Sequence, residues 1–465
     1  MECEFLKPLA ESVARAGGRL LAVGGLVRDH WRGEPGRPRT AEDNPDWDMV
    51  VFGLELPAIA ALAESEGSAR LVGRRVMVDK EKVAAIVHLH LDGRLVEISP
   101  ARRPGAAEAE FSPLAGLAED ARTRDFTVNA IYYDPLTGAF EDPLGGRDDL
   151  ARRRLRLADP GSIMADPLRL MRAFSLISRL KLMPDLELLA EAARLRNLLV
   201  MVPADRFWPE WRKWALSADP ALGLDFLEQS GLLNFWPGLA ALPGTPQNEL
   251  YHPEGDAWRH TVLVVETISR LELPPEADRL VLVLAGLLHD IGKPLVTVNQ
   301  NGFWLSRGHA QAGAPLALDF LTSIRAPERV VRPVLKLVER HMDLAFTDIS
   351  PKALRRLARK MAPESNLSEC WALAVGDWNS RGPSLEPFPL TLNEFLEPLG
   401  GQADGPAPLL MGRDLLENFP DLHPGPGLGR ILKLVEDASD EGQVHDKAEA
   451  LAWVAEWLKN QLKPV

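Results

Sequence analysis

Asp46 and Asp48 stand two residues apart, directly before an apolar run at residues 49–52. An apolar run of that length reads as a strand, and on a strand residues i and i+2 face the same side. Both carboxylates therefore project together. Side by side they repel unless a cation joins them. Mg²⁺ suits the place, because it takes oxygen ligands and keeps room for substrate phosphates. Glu97, in the strand-like run 95–98, offers a third carboxylate. Asp46, Asp48 and Glu97 with Mg²⁺ make a ligand set for two-metal phosphoryl or nucleotidyl transfer. A solvated loop is the competing reading for an isolated Asp-x-Asp.

The sequence upstream weighs against that loop. LLAVGGLVRD at residues 20–29 sets Gly24 and Gly25 between an apolar strand and a helix start. Glycines there let a backbone approach a phosphate, and the helix N-terminus supplies free N–H donors. Arg28, one turn into the helix, lies within reach of the same anion.

Charge narrows the partners. The chain carries 53 Lys and Arg against 66 Asp and Glu, a net charge of -13, which argues against indiscriminate nucleic-acid binding. Residues 151–213 depart from this, with 13 Lys and Arg against 7 Asp and Glu. One arginine-rich segment can bind a phosphate backbone on its own; solvated helix faces are the alternative. Two cysteines, Cys3 and Cys370, exclude a disulfide framework and a cysteine-built zinc site, and point to a reducing compartment. The N-terminal stretch carries acids and no long apolar core, so it does not read as a signal peptide. The longest apolar run, 280–288, is about half the length of a spanning helix. A soluble, cytoplasmic protein with no membrane partner is expected.

At roughly 150 residues per domain, 465 residues suggest about three domains. Residues 1–150 mix short β-like runs with Gly and Pro turns, and from residue 151 the apolar spacing becomes helical. The stretch 242–254, rich in Pro, Asn and Gly, reads as a boundary. Residues 256–385 are helical and rich in histidine, and the Pro-rich stretch 383–408 reads as a linker or long loop. The fold class is α+β. It divides into a head (1–150), a helical neck and body (151–250), a histidine-rich helical module (251–385), and a linker with a helical tail (386–465).

Several motifs now resemble a known family. Gly24-Gly25-Leu26-Val27-Arg28-Asp29, then Asp46-Trp47-Asp48, then Arg124-Asp125-Phe126-Thr127-Val128-Asn129-Ala130 are similar to the signature of bacterial class II tRNA nucleotidyltransferases. These are the CCA-adding enzymes and their poly(A) polymerase relatives. Asp142-Pro143-Leu144-Gly145-Gly146 with Asp149-Leu150 resembles the family's next motif. Asp166-Pro167-Leu168-Arg169-Leu170-Met171-Arg172 resembles the nucleotide-selecting motif, and Asp205-Arg206 through Lys213 the one that closes the neck. The resemblance implies a polymerase-β-like nucleotidyltransferase head, a mixed sheet with helices, followed by a helical neck and body. It implies that Asp46 and Asp48 hold metal, and that Gly24, Gly25 and Arg28 hold the triphosphate of ATP or CTP. Arg124, Asp125 and Asn129 would contact sugar or phosphates, and Asp166, Arg169 and Arg172 would read the base. Three places depart from the family pattern. Ala165 stands where Glu is usual, Thr123 where Arg is usual, and residues 74–85 lack the expected aromatics.

Asp166, Arg169 and Arg172 fall at i, i+3 and i+6, which predicts one stripe of a helix. Leu170, Met171, Phe174 and Ile177 predict its buried side. The Asp166 carboxylate can accept from the exocyclic amine of cytosine or adenine, and Arg169 can donate to the ring acceptor beside it. Uracil and guanine present a carbonyl in place of that amine. An intrahelical ion pair is the competing reading.

Five of the 10 histidines fall between residues 252 and 341. His260, His289-Asp290, His309, His341 and Asp377 follow in the order of an HD-domain phosphohydrolase, which they resemble. Imidazole with carboxylate suits Mn²⁺, Fe²⁺, Co²⁺ or Ni²⁺ better than Mg²⁺. The added histidines leave room for two metals, with Asp290 as the bridge, and the implied chemistry is metal-activated water attacking a phosphate ester. Lys293 is a candidate for binding that phosphate, and His252 for supporting a ligand from behind. His30, His88, His90, His423 and His445 read as surface or structural. The tail resembles the family's C-terminal extension, which implies a hold on tRNA.

The expected activity is addition of C and A from CTP and ATP to the tRNA 3′ end. A second, HD-type hydrolysis would act on phosphate or 2′,3′-cyclic phosphate ends, in a monomer or homodimer. A relative adding only CC, only A, or poly(A) is the alternative. An HD phosphohydrolase with an RNA-binding, inactive head is the alternative of another class.

Overall fold

The computed structural model describes residues 3–33, 47–74, 84–105, 110–344, 350–382, 386–403 and 408–461. Asp46 lies outside the described residues, as do residues 75–83 and parts of the stretch 383–408. The chain forms two compact units, Met1–Phe235 and Trp236–Val465. The division falls inside the stretch 151–250.

The first unit opens with a mixed sheet, which bears out the α+β head. Its strands are β1 (Arg19–Val23), β2 (Trp47–Phe52), β3 (Ser68–Arg74), β4 (Ala84–Leu91) and β5 (Arg94–Pro100). A two-stranded ribbon of β6 (Arg102–Arg103) and β7 (Glu110–Phe111) follows, then β8 (Tyr132–Tyr133) and β9 (Phe140–Glu141). The sheet order is β3-β4-β5-β2-β1-β8-β9. β2 and β5 run parallel, and the other neighbours in this sheet are antiparallel. The parallel pair is possible because the helix Leu56–Glu66 and the β3–β4 hairpin lie between the two strands in sequence.

Side-chain alternation along β2 decides where its carboxylate goes. Val50 packs with Leu21, Val23, Ala121, Ala130 and Tyr132 in one buried cluster, and Phe52 packs against it. Asp48 has the same parity as Val50 and Phe52, so it continues that face. It stands half-buried at the strand's start.

Behind the head, the helix Arg169–Leu180 packs on Phe207–Ala215 and Pro220–Gln229. Leu170, Met171, Phe174 and Ile177 are all fully buried, as the spacing predicts. Phe174, Trp211 and Trp214 meet as a ring cluster with centroids 4.8–5.4 Å apart, and Trp214 Nε1 donates to the Pro220 carbonyl (2.8 Å).

Among its described residues, the second unit is helical apart from a small hairpin at Val298–Gln300 and Phe303–Leu305. The apolar run becomes the helix Arg279–Leu288, buried from Leu280 to Leu288. Among the described residues, no helix is long and apolar enough to cross a membrane. The tail has its own small core around Leu415, Ile431, Val435 and Val454. Arg355, Arg356 and Arg359, on the helix Pro351–Met361, pair with Asp437 and the buried Asp440 of the tail helix Pro426–Asp440.

Candidate active sites

The first site is a row across three strands. Asp48 on β2 is the register partner of Glu97 on β5, and Glu97 is the partner of His88 on β4. Register partners share a face, so Asp48 and Glu97 meet as expected. His88 Nε2 lies 3.1 Å from Glu97 Oε1. His88 thus pairs with Glu97, a contact that only the strand register reveals.

Gly24 is the floor of this row. Its φ of +88° belongs to glycine, and a Cβ there would lie 3.0 Å from Asp48 Oδ2. The helix Gly25–Trp31 starts directly after it, so a helix N-terminus and a carboxylate meet at one point. Arg28 is buried, and its guanidinium is turned to protein partners. Nε donates to Asp29 Oδ1 (2.7 Å) and Nη1 to Asn129 Oδ1 (2.6 Å). Asn129 Nδ2 in turn donates to Asp125 Oδ1 (3.0 Å), and Arg172 Nη2 lies 2.7 Å from Asp125 Oδ2. Burial pushes the Asp125 carboxyl up, but Arg172 and Arg169 outweigh it and hold it below its ordinary value. One chain of polar contacts thus runs from the glycine turn to the neck helix.

Arg124 is anchored sideways. It donates to Asp120 Oδ2 through Nη2 (2.8 Å) and Nε (3.2 Å). Tyr132 donates to the same oxygen (2.7 Å), and the Arg102 backbone N–H to Oδ1 (2.8 Å). Burial pushes the Asp120 carboxyl up, yet Arg124 and Arg102 bring it below its ordinary value. A depressed carboxyl stabilises the fold above its unfolded pKa of about 3.9, and that contribution is lost as pH falls through the lower folded value. Asp120→Asn leaves the largely enclosed Arg124 without its charge partner and should cost about 3 kcal/mol. Denaturant unfolding of the variant against the parent measures it.

The neck residues require a correction. Asp166 does not share a helix stripe with Arg169 and Arg172, because the helix begins at Arg169 and Asp166 is extended (φ -148°, ψ 96°). Pro167 is the cause, since the residue before a proline is pushed out of the helical region. Asp166 instead takes Arg206 in a two-toothed pair, Oδ1 at 3.1 Å and Oδ2 at 2.9 Å. Arg169 donates to the carbonyls of Arg124 (2.8 Å) and Thr123 (2.7 Å). The expected helix stripe is replaced by two tertiary anchors, and the competing intrahelical pair of Asp166 with Arg169 does not form either.

The second site gathers all six predicted HD residues. Asp290 sits between two ligand groups, His260 with His289 and Asp377, and His309 with His341. Its Oδ2 lies 3.0 Å from His289 Nε2 and 3.6 Å from His260 Nε2; its Oδ1 lies 3.2 Å from His309 Nε2 and 4.0 Å from His341 Nε2. Asp377 Oδ1 is 3.1 Å from His260 Nε2. The His309 loop can come this close because Gly292 has no side chain. A Cβ there would stand 2.2 Å from the His309 carbonyl.

The imidazoles are set for metal. His289, His309 and His341 each place Nδ1 on a backbone carbonyl three residues back, at 2.7–2.8 Å. These contacts assign the proton to Nδ1 and the lone pair to Nε2. His309 and His341 then bring two Nε2 atoms to 2.9 Å, and His260 and His289 to 3.3 Å. Facing lone pairs repel, and a cation among them removes the conflict. The donor set therefore fits a metal pair. Burial pushes His341 down to about 3, which keeps it neutral. Burial pushes the Asp290 carboxyl up, but the Lys293 ammonium beside it acts the other way, and the carboxyl lies well below the ordinary range.

Lys293 is not free to take a phosphate here. It is buried, 2.5 Å from Asp290 Oδ2 and 2.6 Å from Gln247 Oε1. The stretch 242–254, expected as a boundary, is thus part of this site. It also brings Glu254, whose Oε1 lies 2.7 Å from His260 Nδ1 and 2.9 Å from His252 Nδ1. No local sequence signal marks Glu254, although HPEGDAWRH places it six residues before His260.

Comparison with known proteins settles the family. Residues 20–156 match the poly A polymerase head domain, and residues 257–374 match the HD domain. The A-adding tRNA nucleotidyltransferase of Deinococcus radiodurans is 33% identical over 371 residues, 76% of this chain and 83% of that protein. The chain belongs to the tRNA nucleotidyltransferase family. The CC-adding tRNA nucleotidyltransferase of Thermus thermophilus is 34% identical over 410 residues, 83% of this chain and 91% of that protein. The solved CCA-adding enzyme of Bacillus stearothermophilus in complex with CTP shares the fold, with a TM-score of 0.65 at 19% identity over 98% of each chain. The Thermotoga maritima CCA-adding enzyme complexed with tRNA matches at 0.59 and 18% identity, over 97% of this chain and 94% of that one. For a tRNA nucleotidyltransferase, the row at Asp48 lies inside the matched head domain, and His260, His289, Asp290, His309 and His341 lie inside the matched HD domain. Glu254 and Asp377 both lie outside residues 257–374.

Proposed function

We propose that this tRNA nucleotidyltransferase adds C and A from CTP and ATP to the 3′ end of tRNA, and that its HD domain hydrolyses phosphate or 2′,3′-cyclic phosphate ends. The reading of the first activity rests on the register that sets Asp48 beside Glu97 over Gly24. Asp46, Asp48 and Glu97 hold Mg²⁺, which lowers the pKa of an attacking hydroxyl and neutralises triphosphate charge. Gly24 and Gly25 cradle the phosphates at the helix N-terminus. Arg28, Asn129, Asp125 and Arg172 keep the glycine turn and the neck in one fixed relation, so that base and triphosphate are held at a constant spacing. Asp166 and Arg169 read the base edge, with Arg206 holding the Asp166 carboxylate. At the HD site, a transition metal pair (Mn, Fe, Co or Ni) rests on His260, His289, Asp290, His309, His341 and Asp377. The four-part division drawn from the sequence assigns one task each to head, neck and body, HD module and tail.

A narrower product has its own support. Two relatives that share most of their length with this chain are named A-adding and CC-adding, and Ala165 replaces the usual acid before Asp166. Purified protein with Mg²⁺ is given tRNAs ending before CCA, after C and after CC, each with CTP, ATP or both. Complete CCA on the first substrate is the expected result. CC alone or A alone establishes the narrower product, and no incorporation on any substrate removes the transferase reading.

A further inference from the structure

Four histidines converge on the HD site, and three of them hold Nδ1 on a carbonyl of their own local backbone. His260 differs. It lies in the first turn of the helix Ala257–Arg270 and is fully buried. Its Nδ1 meets the Glu254 carboxylate at 2.7 Å, with Ser380 Oγ farther off at 3.3 Å. Glu254 is itself buried, its side chain 4% exposed. One oxygen serves both His260 and His252, and the other has no hydrogen-bond partner. A buried carboxylate placed this way has a specific consequence. It keeps the proton on Nδ1, turns Nε2 toward Asp377 and Asp290, and makes that nitrogen a better donor.

The loop that carries Glu254 is fastened at both ends. Asp256 Oδ1 accepts the Arg259 N–H at the start of the helix, and its Oδ2 accepts the Gly244 N–H (2.7 Å). Gln247 Nε2 donates to the Gly255 carbonyl (3.1 Å), while its Oε1 takes Lys293, the partner of Asp290. The loop therefore touches the cluster twice, through Glu254 on His260 and through Gln247 on Lys293.

We infer that Glu254 is a positioning residue of the HD site, acting through His260, and that the loop 244–256 is a working part of the metal centre. The inference rests on the reading of the histidine cluster as a metal site. It predicts that Glu254→Gln, which keeps volume and removes charge, weakens metal binding by about 10- to 100-fold. Mn²⁺ is the probe, titrated by electron paramagnetic resonance of the free ion. The full-length chain carries Asp48→Ala so that the head does not compete. The thermal midpoint of the same proteins in chelator is the second readout. Weakened Mn²⁺ binding at an unchanged midpoint is the expected result, with Glu254→Asp recovering part of the affinity. Equal affinity in parent and Glu254→Gln overturns the role of Glu254 and leaves the metal site standing. A parent that binds no Mn²⁺ overturns the metal site, and the role of Glu254 with it. A lowered midpoint with unchanged affinity also overturns the inference, since it marks a structural residue.

Discussion

Asp48→Ala is expected to reduce nucleotide addition by at least about 10³-fold. The carboxylate is asked to anchor a cation that supplies several kcal/mol of transition-state charge stabilisation, and each 1.36 kcal/mol is tenfold in rate. The side chain is half-buried at the start of the central strand β2, and it rests on Gly24 rather than in the packed core. Its removal should leave the strand intact, because Met49, Val50 and Val51 carry the burial of β2. Single-turnover incorporation of labelled AMP and CMP into tRNA measures the loss. Asp48→Asn should lose as much, since it keeps shape and drops the charge. Mn²⁺ binding by the histidine cluster should be unchanged in both. Incorporation at the parental rate would mean that the row at Asp48 and Glu97 is not where transfer occurs.

The strand-borne part of this site was legible because alternation is a strict rule. Asp48 follows from its parity with Val50 and Phe52, and Glu97 from the same rule on β5. His88 was not legible, because no local signal tells which residue of β4 stands opposite Glu97; that requires the register. The neck shows the reverse failure. Three polar residues at helical spacing read as one stripe, but Pro167 was in plain view and overrides the period at Asp166. The partners that matter, Arg206 for Asp166 and the Thr123 and Arg124 carbonyls for Arg169, come from 40 and 45 or more residues away.

In the second unit the six residues that converge were legible as candidate ligands, since histidines and aspartates in this order have few other uses. Their support was not. A Pro- and Gly-rich stretch signals turns, and the same composition serves for a linker or for a strap over a site. Only tertiary structure shows that Gln247 and Glu254 face inward. The apolar run 280–288 behaves as its length required, too short to span a bilayer and long enough to fill a helical core.

Asp290→Asn is expected to abolish HD-site hydrolysis, again by at least about 10³-fold, while nucleotide addition continues. Its two oxygens face different histidine pairs, His260 with His289 and His309 with His341. A carboxylate can serve both at once, whereas an amide offers one oxygen and turns an N–H₂ toward the other pair. Metal content should fall with activity, read by elemental analysis of the dialysed protein. The substitution also leaves Lys293 buried with Gln247 alone, 2.6 Å away. Breaking a buried ion pair by removing one partner costs about 3–5 kcal/mol, so the unfolding of the second unit should move to lower denaturant. The two effects separate on Lys293→Met, which removes the stranded charge. In the double variant stability should return, because a buried apolar side chain replaces an unpaired ion. Metal and hydrolysis should not return, because Lys293 supplies no ligand. Hydrolysis that survives Asp290→Asn would remove the bridging role from this carboxylate and leave the two histidine pairs as independent sites.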